Sequence, residues 1–368
     1  MKRRMSILPL ILSAAGMVCL ILDGKCASGA VQDGIQLCLC TVIPALFPLF
    51  VLSGVLVCAL SELRIPVLSK ALGIPEGSEG IFLLGAIGGF PMGAQCIAQA
   101  VEQGSLNKQS AQRMLGFCNN AGPAFLFGIL GGIFDNPIVP LVLFVIQLES
   151  AFLVGMLWRS ETSMAARLPK SEISLPNSVS RAVRSMVSVC AWVILANVLL
   201  ALLDRWLFPF LPELAQVSIT GTLELTNGCL TLEDVESENL RFILCCGFLN
   251  FGGLSVLMQI QAIAGRAQLS VRTCVHQKIC QAMLSMAVGA VYLWLGPAGM
   301  LISIGLIPVL KIAVEKYGGM VYNSPNKGGI SHAFQKKDAP FLSVLRSQHQ
   351  VYIGSDALHQ IRRGQRNL

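Results

Sequence analysis

The chain has 368 residues, 54% of them apolar and only 13% charged, with a mean hydropathy of +0.66. Soluble domains carry roughly 25% charged residues, so this composition excludes an ordinary water-soluble domain and points to the lipid bilayer as a partner. The net charge of +7 gathers at the chain ends and in loops, without arginine-aromatic clusters; that pattern fits orientation by the positive-inside rule and argues against nucleic acid as a partner.

The chain opens with Lys2-Arg3-Arg4 and an apolar run from Met5 to Leu22. The run is longer than the roughly 7–15-residue core of a signal peptide. Ala27-Ser28-Gly29-Ala30 is only a weak cleavage site. The reading is a retained membrane helix, residues 1–30, with its N-terminus in the cytoplasm. Further apolar segments follow at 35–60, 114–134, 137–158, 183–203, 279–295 and 297–314. Each approaches the ~20 residues that span a bilayer.

Two more segments, 81–100 and 242–264, are interrupted. The first holds Gly88-Gly89-Phe90-Pro91-Met92-Gly93 and the second Asn250-Phe251-Gly252-Gly253. In hydrocarbon every backbone N–H and C=O must be paired inside the protein, so broken helices survive only where they are buried or line a polar cavity. Each segment either crosses once or dips in and returns as a re-entrant hairpin. Gly88, Gly89, Pro91, Gly93, Asn250, Gly252 and Gly253 are the candidate hinge positions.

Loop charge orients the chain. Arg159, Arg167, Lys170, Arg181 and Arg184 mark a cytoplasmic loop. The stretch 204–241 is rich in Glu and Asp and reads as a loop on the far side. The tail is basic, but its side depends on how many of the broken segments span.

The halves resemble each other weakly. Phe82-Leu83-Leu84 leads to the first break and Phe242-Ile243-Leu244 to the second, and each break is followed by a Gln-containing helix. The long helices 35–60 and 183–203 are oppositely oriented by charge, as an inverted-topology repeat demands.

Polar residues inside apolar surroundings supply the candidate chemistry. Phe117-Cys118-Asn119-Asn120-Ala121-Gly122-Pro123 offers two amides and a proline that frees an upstream carbonyl. Such a set suits a neutral polar solute, or alternatively makes a self-satisfied cap and kink. Leu223-Glu224-Leu225-Thr226-Asn227-Gly228 places a carboxylate and an amide three residues apart, on one helical face. Its alternative is an ordinary loop with a helix cap. Glu149, with Gln147 nearby, lies within an apolar span, where a carboxylate is costly.

Catalysis has little to stand on. No nucleophile elbow, zincin or phosphate-loop motif is present. Cys19, Cys38, Cys40, Cys58, Cys190, Cys245 and Cys246 lie in apolar segments, where Cys serves as a small hydrophobe. The expectation is no enzyme, no metal and no cofactor.

Read together, Gly88–Ala94, Phe117–Phe125, Leu223–Gly228 and Phe251–Val256 resemble the motifs of the bacterial sporulation integral membrane proteins of the YlbJ type. That group carries a nucleoside-recognition or Gate domain and is distantly similar to concentrative nucleoside transporters. The resemblance covers about residues 30–315. It implies an all-α polytopic membrane protein of the cell membrane, about 7–9 membrane segments arranged as an inverted repeat with two broken or re-entrant hairpins. The domains expected are an anchor (1–30), a first Gate-like repeat (31–160), a basic linker (161–182), a second repeat (183–315) and a polar basic tail (316–368). By the same analogy Asn119, Asn120, Glu224 and Asn227 are expected to bind a small polar solute, nucleoside-like, in a transporter or gate working during sporulation, with Pro123 among the hinges. The alternative function is a non-transporting scaffold for assembly of the spore envelope. A homo-oligomer or a companion membrane protein is the expected protein partner.

Overall fold

A computed structural model describes residues 7–60, 63–134, 136–159 and 174–299, and every regular element among them is a helix. The tail (316–368), nearly all of the crossing expected at 297–314, and residues 161–173 of the linker lie outside the described residues.

Helix α1 (Ile7–Leu22) lies in a compact unit separate from Lys25–Asn323. In the larger unit, α2 (Gly24–Leu37) runs through one π-helical turn (Cys38–Val42) into α3 (Ile43–Leu60). There follow α4 (Pro66–Leu72), α5 (Glu79–Ile87), α6 (Met92–Glu102), α7 (Lys108–Phe117), α8 (Pro123–Gly128) and α9 (Val139–Leu157). The rest comprises α10 (Leu175–Trp206), α11 (Glu213–Leu223), α12 (Leu225–Leu230), α13 (Glu238–Phe251), α14 (Gly253–Arg266) and α15 (Arg272–Leu295).

Three expectations change. The segment 114–134 is two helices, because the chain leaves α7 at Cys118 and re-enters a helix only at Pro123, whose missing N–H is harmless in a first turn. The acidic stretch 204–241 is mostly helical, holding α11, α12 and the start of α13. Residues 175–182, assigned to the linker, are the first turns of α10, opened by Ser174 and Pro176.

Local sequence sets the ends. Asn107 accepts from Ser110 N at 2.8 Å and caps α7. Arg113, on α7, donates to the carbonyls of Leu72 (2.9 Å), Trp158 (3.0 Å) and Gly73. It thereby closes the C-terminal ends of α4 and α9, where a helix end favours a cation.

The element order repeats. After α3 and the short α4 come a broken pair (α5/α6), a second broken pair (α7/α8) and a long helix (α9). After α10 come α11/α12, α13/α14 and α15 in the same sequence. Across the halves α3 packs on α10, α9 on α15, α7 on α15, α13 on α9, α8 on α3 and α14 on α10.

By length and composition, five helical stretches among the described residues are apolar enough to cross a membrane: Gly24–Leu52, Val139–Leu157, Leu175–Trp206, Glu238–Arg266 and Arg272–Leu295. They make this an integral membrane protein. One apolar core packs α6 and α7 with α14 and the start of α15, and another packs α8 and α9 with α12 and α13. The breaks lie between them.

Candidate functional site

The four helix breaks meet in two backbone-to-backbone pairs, joined by the Phe90 side chain. Gly89 has φ +71°, which an L side chain rarely adopts, and a Cβ there would lie 2.9 Å from Gly122 N. A Cβ on Gly93 would fall on the carbonyl oxygen of Cys118. These contacts join the first and second breaks. In the second half, Gly253 has φ +78° and its Cβ would stand 3.1 Å from Leu225 N and 3.3 Å from Glu224 Cα. A Cβ on Gly252 would be 3.0 Å from the tip of the Phe90 ring, so the first break also touches the fourth.

The groups freed by these breaks have protein partners. Asn119 Oδ1 accepts from Ala94 N in the first turn of α6 at 2.7 Å, and its Nδ2 donates to Leu115 O at 2.6 Å. It satisfies one orphan donor of α6 and one orphan carbonyl of α7. Asn120 Nδ2 donates to Phe117 O at 2.9 Å. Gln147, on α9, spans Ala121 with both ends, accepting from its N at 3.2 Å and donating to its O at 2.8 Å.

A second layer links the halves. Gln281 Nε2 donates to Asn120 Oδ1 (2.8 Å) and to Asn250 Oδ1 (2.9 Å). Ser150 Oγ also donates to Asn250 Oδ1 at 3.0 Å, and Asn250 Nδ2 to Cys246 O at 2.9 Å. The Lys278 amino group donates to Asn119 O and to Gln281 Oε1. Asn119, Asn120, Gln147, Ser150, Asn250, Lys278 and Gln281 are all fully buried. The two asparagines expected to bind solute are therefore engaged inside the protein.

Beside this network lies a cavity of about 50 Å³, room for a few waters. Its walls come from α3 (Leu46, Phe50), α10 (Val189, Val193), the glycines of the first break, Ala121 and Gly122, Glu224 with Thr226, and α14 (Val256, Gln259). Glu224 is the N-cap of α12, its Oε2 accepting from Asn227 N (2.8 Å) and Asn227 Nδ2 (3.0 Å). The predicted pairing of Glu224 with Asn227 is thus present, as a cap in which Asn227 holds the carboxylate rather than facing the cavity itself. Gln259 is buried, and its Oε1 has no hydrogen-bond partner among the described residues. A smaller cavity, lined by Gln95, Gln99, Arg181 and Ser185 among others, shares only Phe50 with the first.

Of the predicted hinges, Gly88, Gly89, Gly93, Gly252 and Gly253 lie in breaks or their first turns, Pro91 precedes α6, Pro123 opens α8, and Asn250 ends up as a hub of the network. Sequence reasoning missed Lys278, Gln281 and Gln259. The signal for the first two is a stripe: Cys274, Lys278, Gln281, Ser285 and Gly289 recur at spacings of four, three, four and four on α15, one helical face. Glu149 is buried on α9.

No protein-family profile matches the chain, and no solved structure matches it. Among curated proteins it is similar to the sporulation integral membrane protein YlbJ of Bacillus subtilis, with 22% identity over 315 residues covering 72% of this chain and 77% of that protein. The chain is a distant YlbJ-type relative and an all-helical integral membrane protein.

Proposed function

We propose that this protein is a transporter or gate for a small polar solute, with the cavity beside Glu224 as its site. The observation that carries this reading is the placement of that cavity. It is lined by three of the helix breaks and by α14, and it holds a carboxylate, a hydroxyl and the Gln259 amide oxygen, which has no hydrogen-bond partner among the described residues. Broken helices around a buried polar cavity are what alternating-access transporters use for binding. The repeated element order and the contacts across the two halves support an inverted repeat, about 7–9 crossings and an N-terminus in the cytoplasm. In this reading Glu224, Thr226 and Gln259 contact the solute, Asn227 positions Glu224, and Asn119 and Asn120 hold the cavity wall. Phe50, shared by the two cavities, is the barrier between the site and the Gln95–Arg181 side.

The motif resemblance implies a nucleoside-like solute, and the similarity to a sporulation integral membrane protein supports a role in spore formation. The test is binding by purified protein in detergent, read by thermal shift against nucleosides, amino acids and small spore solutes. A stabilising solute lost in both Glu224→Gln and Gln259→Met, with the fold intact, is the expected result. No binding by well-folded wild-type protein overturns it and favours the assembly scaffold, with a homo-oligomer or companion membrane protein as the partner to seek by crosslinking.

A further inference from the structure

Lys278 is the one fully buried lysine among the described residues, and no carboxylate among them pairs with it. A buried charge usually has a counter-ion, so its absence requires another source of stabilisation. Three groups supply it. The backbone oxygen of Asn119 accepts from Nζ, just beyond the C-terminal end of α7, where the helix dipole is negative. Gln281 Oε1 accepts a second bond at 3.0 Å. The Phe90 ring lies 5.2 Å from Nζ, within reach of a cation–π contact. An unwound backbone carbonyl, an amide carbonyl and an aromatic face match the three donors of an ammonium group.

The same three groups describe a site for a free monovalent cation. Unwound carbonyls at broken helices bind such ions in membrane proteins. Here the position is filled from within the chain.

We infer that Lys278 is a tethered cation seated in an intramembrane monovalent-cation site formed by Asn119 O, Gln281 Oε1 and the Phe90 face. Its amino group bridges two of the breaks. Asn119 belongs to the second break and Phe90 to the first. Gln281 passes the contact on to Asn120 and to Asn250 beside the fourth. Phe90 also lines the cavity proposed above. Lys278 is therefore a positioning residue for that cavity; this role rests on the proposed solute site, whereas the cation site does not.

The test removes the tether and supplies the ion. Lys278→Ala deletes the amino group and leaves space; Lys278→Met fills the space without charge. The full chain in detergent is unfolded thermally in chloride salts of methylammonium, ammonium, potassium and N-methylglucamine at equal ionic strength. In Lys278→Ala, methylammonium or ammonium is expected to raise Tm by about 4 °C or more over N-methylglucamine, as a ligand held by the native state alone must. Wild-type protein and Lys278→Met are expected to show no such difference. The same salt response in Lys278→Met, or none in Lys278→Ala, overturns the inference.

Where Lys278→Ala yields no folded protein in any salt, Phe90→Leu and Gln281→Leu, made singly and together, decide it. Two ligands of one cation give losses in Tm that fall short of their sum; losses that add overturn the inference. No solute enters these measurements, so their failure and that of the solute site are separable.

Discussion

The network around Asn250 and the cavity beside Glu224 lie on neighbouring breaks, yet they treat their acceptors differently. Asn250 Oδ1 accepts from both Gln281 and Ser150, and Asn120 Oδ1 from Gln281. In the cavity Gln259 Oε1 has no partner among the described residues, and the Glu224 bonds all come from its own cap. A buried polar group without a partner costs about 1–3 kcal/mol. The network avoids that cost; the cavity bears it. Polar groups of the first kind hold a fold together, and those of the second kind are where a ligand improves matters by binding.

Substitutions test this contrast, starting with the backbone contacts that hold both centres. Gly93→Val would place a side chain on the Cys118 carbonyl and crowd Asn119 Oδ1, 2.9 Å from the added Cβ. The expected loss is at least about 3 kcal/mol, a fall in Tm near 10 °C or no folded protein, read by thermal unfolding and size-exclusion profile.

Asn250→Leu removes the acceptor shared by Gln281 and Ser150 and is expected to cost about 1–3 kcal/mol, since it strands one buried N–H of Gln281, whereas Ser150 keeps the Gln147 carbonyl as acceptor. Thermal unfolding measures it, and an unchanged Tm would break the contrast from the network side.

Glu224→Gln keeps shape and an acceptor for the α12 cap. Solute affinity is expected to fall roughly tenfold, about 1.4 kcal/mol. Tm without solute is expected to move by less than about 2 °C. Titration of a stabilising solute against both proteins gives the comparison.

The smallest effect on stability, and the sharpest, belongs to Gln259→Met. Replacing a buried amide whose Oε1 has no partner with an apolar side chain of similar length is expected to leave stability unchanged or raise it by up to about 1 kcal/mol, because an orphan acceptor disappears. Solute binding is expected to be lost. A marked fall in Tm would show that the amide is part of the structural network after all.

Much of the site's scaffold was legible along the chain. Gly88–Gly93 and Asn250–Gly253 read as breaks because glycine and proline interrupt apolar runs, and both segments are broken there. The stretch 118–122 reads as a solute-binding set or a self-satisfied cap and kink inside one span, 114–134, because hydropathy does not register where the backbone stops bonding to itself. Lys278 went unnoticed for a related reason. It stands at the edge of the apolar run 279–295, where a lysine ordinarily reaches back to the interface. Here α15 begins earlier, at Arg272, and packing against α7 and α13 encloses that position.

Sequence alone determined that the chain is helical, apolar and bound for a membrane, since composition and run length report transfer from water residue by residue. It also placed glycine where the chain turns and amides where backbone groups come free. Only tertiary structure decided which amides close on the protein and which face a cavity. Asn119 and Gln259 look alike in sequence, buried amides on broken apolar helices. Asn119 finds Ala94 and Leu115 because Gly93 lets the breaks approach, while Gln259 lines the cavity bordered by three of the breaks. Beyond the local bonds three or four residues back, hydrogen-bond satisfaction depends on neighbours 25 to more than 100 residues away, which come within reach only once the helices have packed.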